Sequence, residues 1–222
     1  MTGLHDTAQK PGVPTREEMR QALEARHGAA LQSRFSSATV AICGLGGLGS
    51  NIAIALARAG IGRLILIDFD KVDIANLNRQ QYAANQVGLY KTQALAANLL
   101  AIAPYVETVA HTQRLTPGNL HPLLQEADVI CEAFDVAEEK AMLVNGVLEQ
   151  LPQKYLVAAS GMAGLGEANR IKTRRIASRF YLCGDGVSDA DGGLGLVAPR
   201  VMLCAAHQAH VVLRILAGEY TV

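Results

Sequence analysis

The chain predicts an α/β fold: a mostly parallel sheet with helices on both faces, then a short glycine-rich β-containing segment and a C-terminal helix. Three observations carry that expectation. Short apolar runs, such as Thr39-Val40-Ala41-Ile42-Cys43 and Arg63-Leu64-Ile65-Leu66-Ile67-Asp68, alternate with longer segments of helical composition, the signature of strands buried on both faces. The glycine-rich stretch Gly44-Leu45-Gly46-Gly47-Leu48-Gly49 joins the first such run to a helical segment. Half of the 222 residues are apolar, enough for a large core and against disorder.

Residues 1–14 are polar, with Pro11, Gly12 and Pro14, and read as a flexible tail. Thr15-Arg16-Glu17-Glu18 has the spacing of a capping box, Thr15 as N-cap with Glu18 three residues on, and opens a helix to about Gly28. Residues 29–37 read as a linker. Residues 1–33 are thus expected as an N-terminal tail and helix, with 34–222 as the main domain.

Strand 39–43, the glycine loop, a helix over about 49–59 stopped by Gly60 and Gly62, and strand 63–68 form a strand–loop–helix–strand unit, which makes the fold Rossmann-like. A polar stretch, 70–88, is rich in Asn, Gln and Arg. A helix over 90–103 stops before Pro104. Strand 106–110, a short helix 120–125, strand 127–132, helix 138–150 and strand 155–159 follow. Residues 160–195 hold many glycines and short β-prone segments such as 169–173. Residues 201–216 are apolar almost all round and predict a buried helix.

Formal net charge is zero, so no global field attracts nucleic acid or an anionic membrane. The densest basic run, Arg170-Ile171-Lys172-Thr173-Arg174-Arg175, reads as a solvated strand or loop ahead of a binding surface. The four cysteines, at 43, 131, 183 and 204, include no Cys-x-x-Cys pair, so no structural zinc is expected. The usage suits a reduced, cytoplasmic protein. The stretch MTGLHDTAQKPG has no apolar core of a signal peptide, and no run approaches the roughly 18–20 apolar residues that span a bilayer.

A glycine-rich loop between strand and helix is a phosphate cradle, because the backbone approaches the anion and the helix N-terminus presents free N–H groups. Gly44, Gly46, Gly47 and Gly49 are all present. Asp68 ends the second strand about 20 residues on, where an acidic group meets ribose hydroxyls; that fits NAD and ATP equally. Asp70 and Asp73 follow closely and either hold a metal or face water. The segment Asn76-Leu77-Asn78-Arg79-Gln80-Gln81 separates the alternatives. Arg79 can bind phosphate oxygens bidentately, Asn76 can orient a phosphate or metal, and Lys91 adds a second cation at the start of the next helix. A clamp of that kind acts where charge builds on an α-phosphate. An NAD-dependent oxidoreductase leaves Arg79 and Lys91 without work. Asp135, just past the fourth strand, points to the same crevice and can hold Mg²⁺ beside a triphosphate. Glu132, nearer the strand, reads as structural.

Taken together, Gly44 to Gly49, Asp68-Phe69-Asp70-Lys71-Val72, Asn76-Leu77-Asn78-Arg79-Gln80 and Val87-Gly88-Leu89-Tyr90-Lys91 resemble the ubiquitin-activating-enzyme-like adenylyltransferases, which include the ThiF and MoeB proteins. The resemblance runs from about residue 34 to 217. It implies ATP-dependent adenylylation of the C-terminal glycine of a ubiquitin-like sulfur carrier, followed by thiocarboxylate formation with a sulfur donor. It assigns Gly46 and its neighbours to the nucleotide and Asp68 to the ribose. Asn76, Arg79 and Lys91 fall to the phosphates, Gln80 to the pocket lining and Asp135 to magnesium. Glu132-Ala133-Phe134-Asp135, Ala159-Ser160-Gly161-Met162-Ala163-Gly164 and Leu196-Val197-Ala198-Pro199-Arg200-Val201, with His207-Gln208-Ala209, look like the short zinc-free ThiF variant. Its implied partner is ThiS, in thiamine thiazole synthesis, and its implied state a homodimer. Relatives acting on a molybdopterin-type carrier or in tRNA modification are the alternatives, and a catalytically idle partner subunit is disfavoured by Arg79, Lys91 and Asp135 together.

Two departures stand out. Asp191-Gly192-Gly193-Leu194-Gly195 has no cysteine where some relatives carry one. Cys183 is the upstream candidate for a sulfur relay, with a structural role preferred. The N-terminal Arg-Tyr-x-Arg-Gln motif that reaches across a dimer is absent; Arg20, Arg26 and Arg34 are the candidates for that task, Arg26 favoured.

Overall fold

A computed structural model describes residues 12–189 and 194–222; residues 1–11 of the expected tail and the cysteine-free positions 191–193 lie outside them. Strands β1 (Thr39–Cys43), β2 (Arg63–Ile67), β3 (Glu107–His111), β4 (Val129–Glu132), β5 (Tyr155–Ala159), β6 (Lys172–Ala177) and β7 (Phe180–Gly184) form one sheet. Its order is β3-β2-β1-β4-β5-β7-β6. Every pairing in it is parallel except the β6–β7 hairpin.

Alternation along the strands sorts the core. Val40 and Ile42 of β1 face one layer, Ala41 and Cys43 the other. The first layer takes α2 (Ala29–Ser37), α3 (Gly47–Arg58), α4 (Lys91–Ile102) and α7 (Ala198–Ala217) through Phe35, Ile52, Leu95 and Val212. The second takes α5 (Leu120–Leu124) and α6 (Ala137–Gln150) through Leu120, Leu124, Leu143 and Val147. Helices therefore leave β1 on one face and enter β4 on the other, and strand order reverses between those two neighbours. That reversal opens a crevice at the carboxyl ends of the strands.

The capping box forms as spaced: Thr15 N donates to Glu18 Oε2 at 2.7 Å and Glu18 N donates to Thr15 Oγ1 at 3.2 Å. It starts α1 (Arg16–His27), a helix with no buried residue. The segment expected as a linker, 29–37, is instead α2. Its N-cap is Gly28, with no side-chain cap, and its serines obscure the pattern. Tertiary burial of Gln32 and Phe35 sustains it, and Gln32 Nε2 donates to Gly60 O at 3.2 Å. The boundary expected at residue 34 falls inside this helix.

Three further expectations shift. The first helix after β1 begins at Gly47, two residues earlier than its composition suggests. The β-prone stretch 169–173 holds a 3-10 turn, Ala168–Arg170, and the strand runs Lys172–Ala177 because the hairpin with β7 sets its register. Helix α7 buries one face against α3 and the sheet while Met202, Ala206 and His210 stay exposed, so it is amphipathic rather than buried all round. The polar stretch 70–88 forms the 3-10 turns Ile74–Asn76 and Ala84–Gln86.

If α2 belongs to the core, Phe35→Ala should destabilise the protein by about 3–5 kcal/mol in urea unfolding. Val13→Ala, at a position 74% exposed, should stay within about 0.5 kcal/mol. A loss below about 1 kcal/mol at Phe35 would return the segment to a linker.

Candidate functional site

The crevice at the strand reversal is a cleft of about 470 Å³, lined from β1 and β2 on one side and from the loops after β4, β5 and β7 on the other. Gly44 leaves β1 with φ +89°, in the left-handed region, and a Cβ there would sit 2.8 Å from Ala133 O. A Cβ on Gly49 would lie 1.8 Å from Gly44 O, so the loop closes only with glycine at both ends. Gly46, the N-cap of α3, has no side-chain cap bond, and Gly46 and Gly47 line the cleft. The first N–H groups of α3 are thereby left to the cleft.

Asp68 ties this loop to β2. Its Oδ2 accepts from Leu45 N and its Oδ1 from Asp70 N, each at 2.7 Å. Lys91 Nζ lies 3.9 Å from Asp68 Oδ2 and 2.8 Å from Asp70 Oδ2. Burial pushes the Asp68 carboxyl above the usual carboxylate range, against the pull of Lys91 and the two N–H groups. Tyr82 donates its hydroxyl to Leu45 O at 2.7 Å, fixing the loop from the other side. Asp70, read as a metal ligand or solvated, is an ion-pair partner of Lys91. Asp73 accepts from Ala75 N at 2.7 Å as an N-cap and lies outside the cleft lining.

Asn76, Arg79 and Gln80 all reach the cleft. Arg79 donates through Nη1 to Asn78 Oδ1 at 3.0 Å and through Nη2 to Asn76 Oδ1 at 3.1 Å. Among the described residues, Arg79 Nε and Gln80 Oε1 are buried without a hydrogen-bond partner. Orphaned polar atoms are costly, and two of them in one cleft suit a polar ligand.

Asp135 is exposed and lines the cleft opposite Asp68 and Asp70. Glu132 is fully buried and receives Lys140 Nζ at 2.9 and 2.8 Å on its two oxygens, while Lys140 also donates to Phe134 O at 3.0 Å. Burial raises the Glu132 carboxyl and Lys140 pulls it back. Glu132 is structural, as read, but Lys140 lines the cleft and the sequence reading missed it. Its signal was a lysine in the opening turns of a helix that follows a strand end. Phe69 and Arg114 also line the cleft, the Arg114 guanidinium 4.7 Å over the Phe69 ring, and neither was singled out from sequence.

Cys183 has no exposed surface and lies outside the lining, and burial pushes its thiol up to about 11. That favours the structural role over a sulfur relay. Arg20 pairs with Glu17 and Glu24, Arg34 donates to Ala217 O at 2.6 Å, and Arg26 is exposed on α1. Among the described residues no three His, Cys, Asp or Glu side chains gather to hold a metal, and no helix is long and apolar enough to cross a membrane.

The ubiquitin-like modifier-activating enzyme 5 of Caenorhabditis elegans is 47% identical over 83 residues, 37% of this chain and 20% of that protein. The adenylyltransferase and sulfurtransferase UBA4 of Lodderomyces elongisporus is 28% identical over 199 residues, 86% of this chain and 43% of that protein. The chain thus spans less than half the length of these curated relatives. The E. coli tRNA N6-threonylcarbamoyladenosine dehydratase TcdA, solved in complex with ATP, superposes with TM-score 0.82 at 22% identity, over 93% of this chain and 98% of that one, and so shares the fold. The ThiF family matches residues 19–222, and with the glycine loop, Asp68, Arg79, Lys91 and Asp135 gathered on one cleft, the chain belongs to that family.

Proposed function

We propose that this cleft binds ATP and adenylylates the C-terminal glycine of a ubiquitin-like sulfur carrier of the ThiS kind, preparing the thiocarboxylate used in thiamine thiazole synthesis. The observation that carries the reading is the convergence of an open helix N-terminus, Arg79, Lys91 and Asp135 on one cleft. A dinucleotide oxidoreductase needs the first of these and has no use for the rest. The names of UBA4 and of the modifier-activating enzyme support adenylylation and a ubiquitin-like acceptor. A molybdopterin-type carrier would make the same demands on the site.

In this reading the glycine loop lets the backbone approach the nucleotide phosphates. Asp68 keeps acceptor capacity for the ribose hydroxyls beyond its two loop bonds. A carboxylate oxygen of the carrier attacks the α-phosphorus, the bond to the β-phosphate oxygen breaks and pyrophosphate leaves. The product is an acyl adenylate, from which a sulfur donor displaces AMP. Negative charge grows on the α-phosphate oxygens and on the leaving pyrophosphate. Arg79 and Lys91 meet it with cations already held in place by Asn76, Asn78 and Asp70. Such preorganised donors are worth about 10²–10³ in rate each.

The donor set also fits Mg²⁺. The ion is usually held by one or two carboxylates with substrate phosphates and water, so exposed Asp135 is a sufficient protein anchor. When bound, the ion neutralises phosphate charge. The homodimer implied by the family resemblance remains part of this proposal.

A second reading, action on a modified tRNA, draws on the likeness to TcdA and on one local feature. Arg170, Lys172 and Arg174 are exposed around a second recess of about 400 Å³ beside β6. Labelled pyrophosphate exchange with ATP and Mg²⁺ separates the two. Exchange that requires a ThiS ending in Gly-Gly supports the carrier, whereas turnover of threonylcarbamoyl-tRNA with no carrier-dependent exchange supports the RNA.

Two outcomes are expected in that assay. Asp135→Ala and chelation of Mg²⁺ with EDTA should each bring exchange to background. The variant's melting temperature should move by no more than about 2–4 °C, because the side chain is exposed; normal exchange in it would remove the metal role. Arg79→Met should lower the exchange rate by about 10²–10³ at saturating ATP, and a rate within threefold of the unsubstituted protein (about 0.6 kcal/mol) would take Arg79 out of the chemistry.

A further inference from the structure

The loops after β5 and β7 are bonded to each other at several points. Asp185 N donates to Gly161 O at 2.9 Å, Gly186 N to Ser160 O at 3.0 Å, and Ala163 N to Ser188 Oγ at 3.1 Å. Close packing leaves no room for larger residues: a Cβ on Gly184 would lie 1.9 Å from Ser160 O, and one on Gly161 2.1 Å from Asp185 Oδ1. Beneath both loops sits a buried ion pair, Arg200–Asp185, with 6% and 4% of the side chains exposed. Arg200 Nη2 meets Asp185 Oδ2 at 2.5 Å, Nε donates to Ala163 O at 3.1 Å, and Nη1 donates to Gly166 O at 2.5 Å and Glu167 O at 3.1 Å. Asp185 Oδ1 in turn accepts from Val187 N and Ser188 N at 2.9 and 2.8 Å.

The Arg200 side chain lines no part of the cleft, yet the strip it holds does: Ser160, Gly161, Met162, Ala163 and Ser188 form the wall on the β5 side. The two sides of the cleft differ in chemistry. The β1–β2 side carries the open helix N-terminus and the cations that phosphates need. Apart from Met162, the β5–β7 strip Ser160 to Ala163 with Ser188 offers small residues and main chain, which suits an extended tail without side chains. An acceptor ending in glycines has that shape, and main-chain bonds from a fixed wall are its means of recognition. Leu165 and Val187, 74% and 70% exposed, ride on the outside of the same pinned loops and give the body of a protein acceptor an apolar footing.

We infer that Arg200 and Asp185 are positioning residues for the acceptor: they pin the β5 and β7 loops into the wall that receives its C-terminal tail, and leave nucleotide binding to the other side. The inference rests on the adenylylation reading. A mobile wall would cost binding of the tail, but neither the affinity for ATP nor the chemistry once the tail is seated.

Asp185→Asn is the variant to test, because it can keep the loop bonds from Val187 and Ser188 while weakening the bond to Arg200. Arg200→Lys keeps the charge but cannot reach all four acceptors at once. Arg200→Met leaves a carboxylate buried without its partner and is paired with Asp185→Asn to spare the fold. ATP affinity is read by calorimetry, and carrier KM and kcat by pyrophosphate exchange with a ThiS ending in Gly-Gly. For Asp185→Asn the ATP affinity should stay within about twofold while the carrier KM rises about tenfold or more, with kcat at saturating carrier changed by about threefold at most. Arg200→Lys should fall between. An unchanged carrier KM, or ATP affinity falling in step with it, overturns the positioning role. If the unsubstituted protein shows no carrier-dependent exchange, the proposed activity itself fails and the inference goes with it.

Discussion

The Asp68 carboxylate, buried at the end of β2, is the contact on which the cleft depends. It accepts from Leu45 N in the glycine loop and from Asp70 N in its own turn, and Lys91 stands 3.9 Å away. Three segments distant in sequence are thereby joined at one point. A carboxylate taken from water without partners costs several kcal/mol. Here two N–H groups and a nearly buried cation offset part of that cost, and the partners have little freedom to leave. The glycine loop has little side chain of its own to hold it. Its shape comes from Asp68 on one side and Tyr82 on the other.

The charges of this neutral chain are not evenly spent. Exposed pairs such as Arg20 with Glu17 are worth little, since water screens them and long side chains lose freedom. Around the cleft the pairs are sheltered: Lys91 with Asp70, Lys140 with Glu132, and Arg200 with Asp185. In each, at least one side chain is almost wholly buried, so losing a partner would strand a charge. Burial works against ionisation of Asp185, but hydrogen bonds from Ser188, Val187 and Arg200 prevail and hold its pKa down to about 2. These pairs fix loop geometry at three corners of one cleft.

Much of this was legible in the chain. The strands β1, β2, β4 and β5 showed as apolar runs, because a strand covered on both faces has little room for polar residues, whereas β7 carried no such reading. The glycine loop, Asp68, Arg79 and Lys91 showed because a loop between strand and helix has few functions and phosphate chemistry needs few residue types. What escaped notice had a weak local signal or none. Helix α2 is held by Gln32 and Phe35 against distant groups, and its own composition is that of a linker. Lys140, Phe69 and Arg114 enter the cleft only because the sheet reversal brings α6 and the loops after β2 and β3 to one place.

The amino-acid sequence alone determined the layered α/β architecture, the phosphate-type loop and the acidic and basic residues available for chemistry, since each is written in a period or a short spacing. Tertiary structure decided the rest: which carboxylates are free to act, which serve as anchors, and which residues face one another. Asp70 and Asp135 look alike in sequence and both line the cleft exposed, yet Asp70 is tied up by Lys91, itself nearly buried. The reason is physical. A charge's role depends on its desolvation and on the partner within reach, and both are set by elements far apart along the chain.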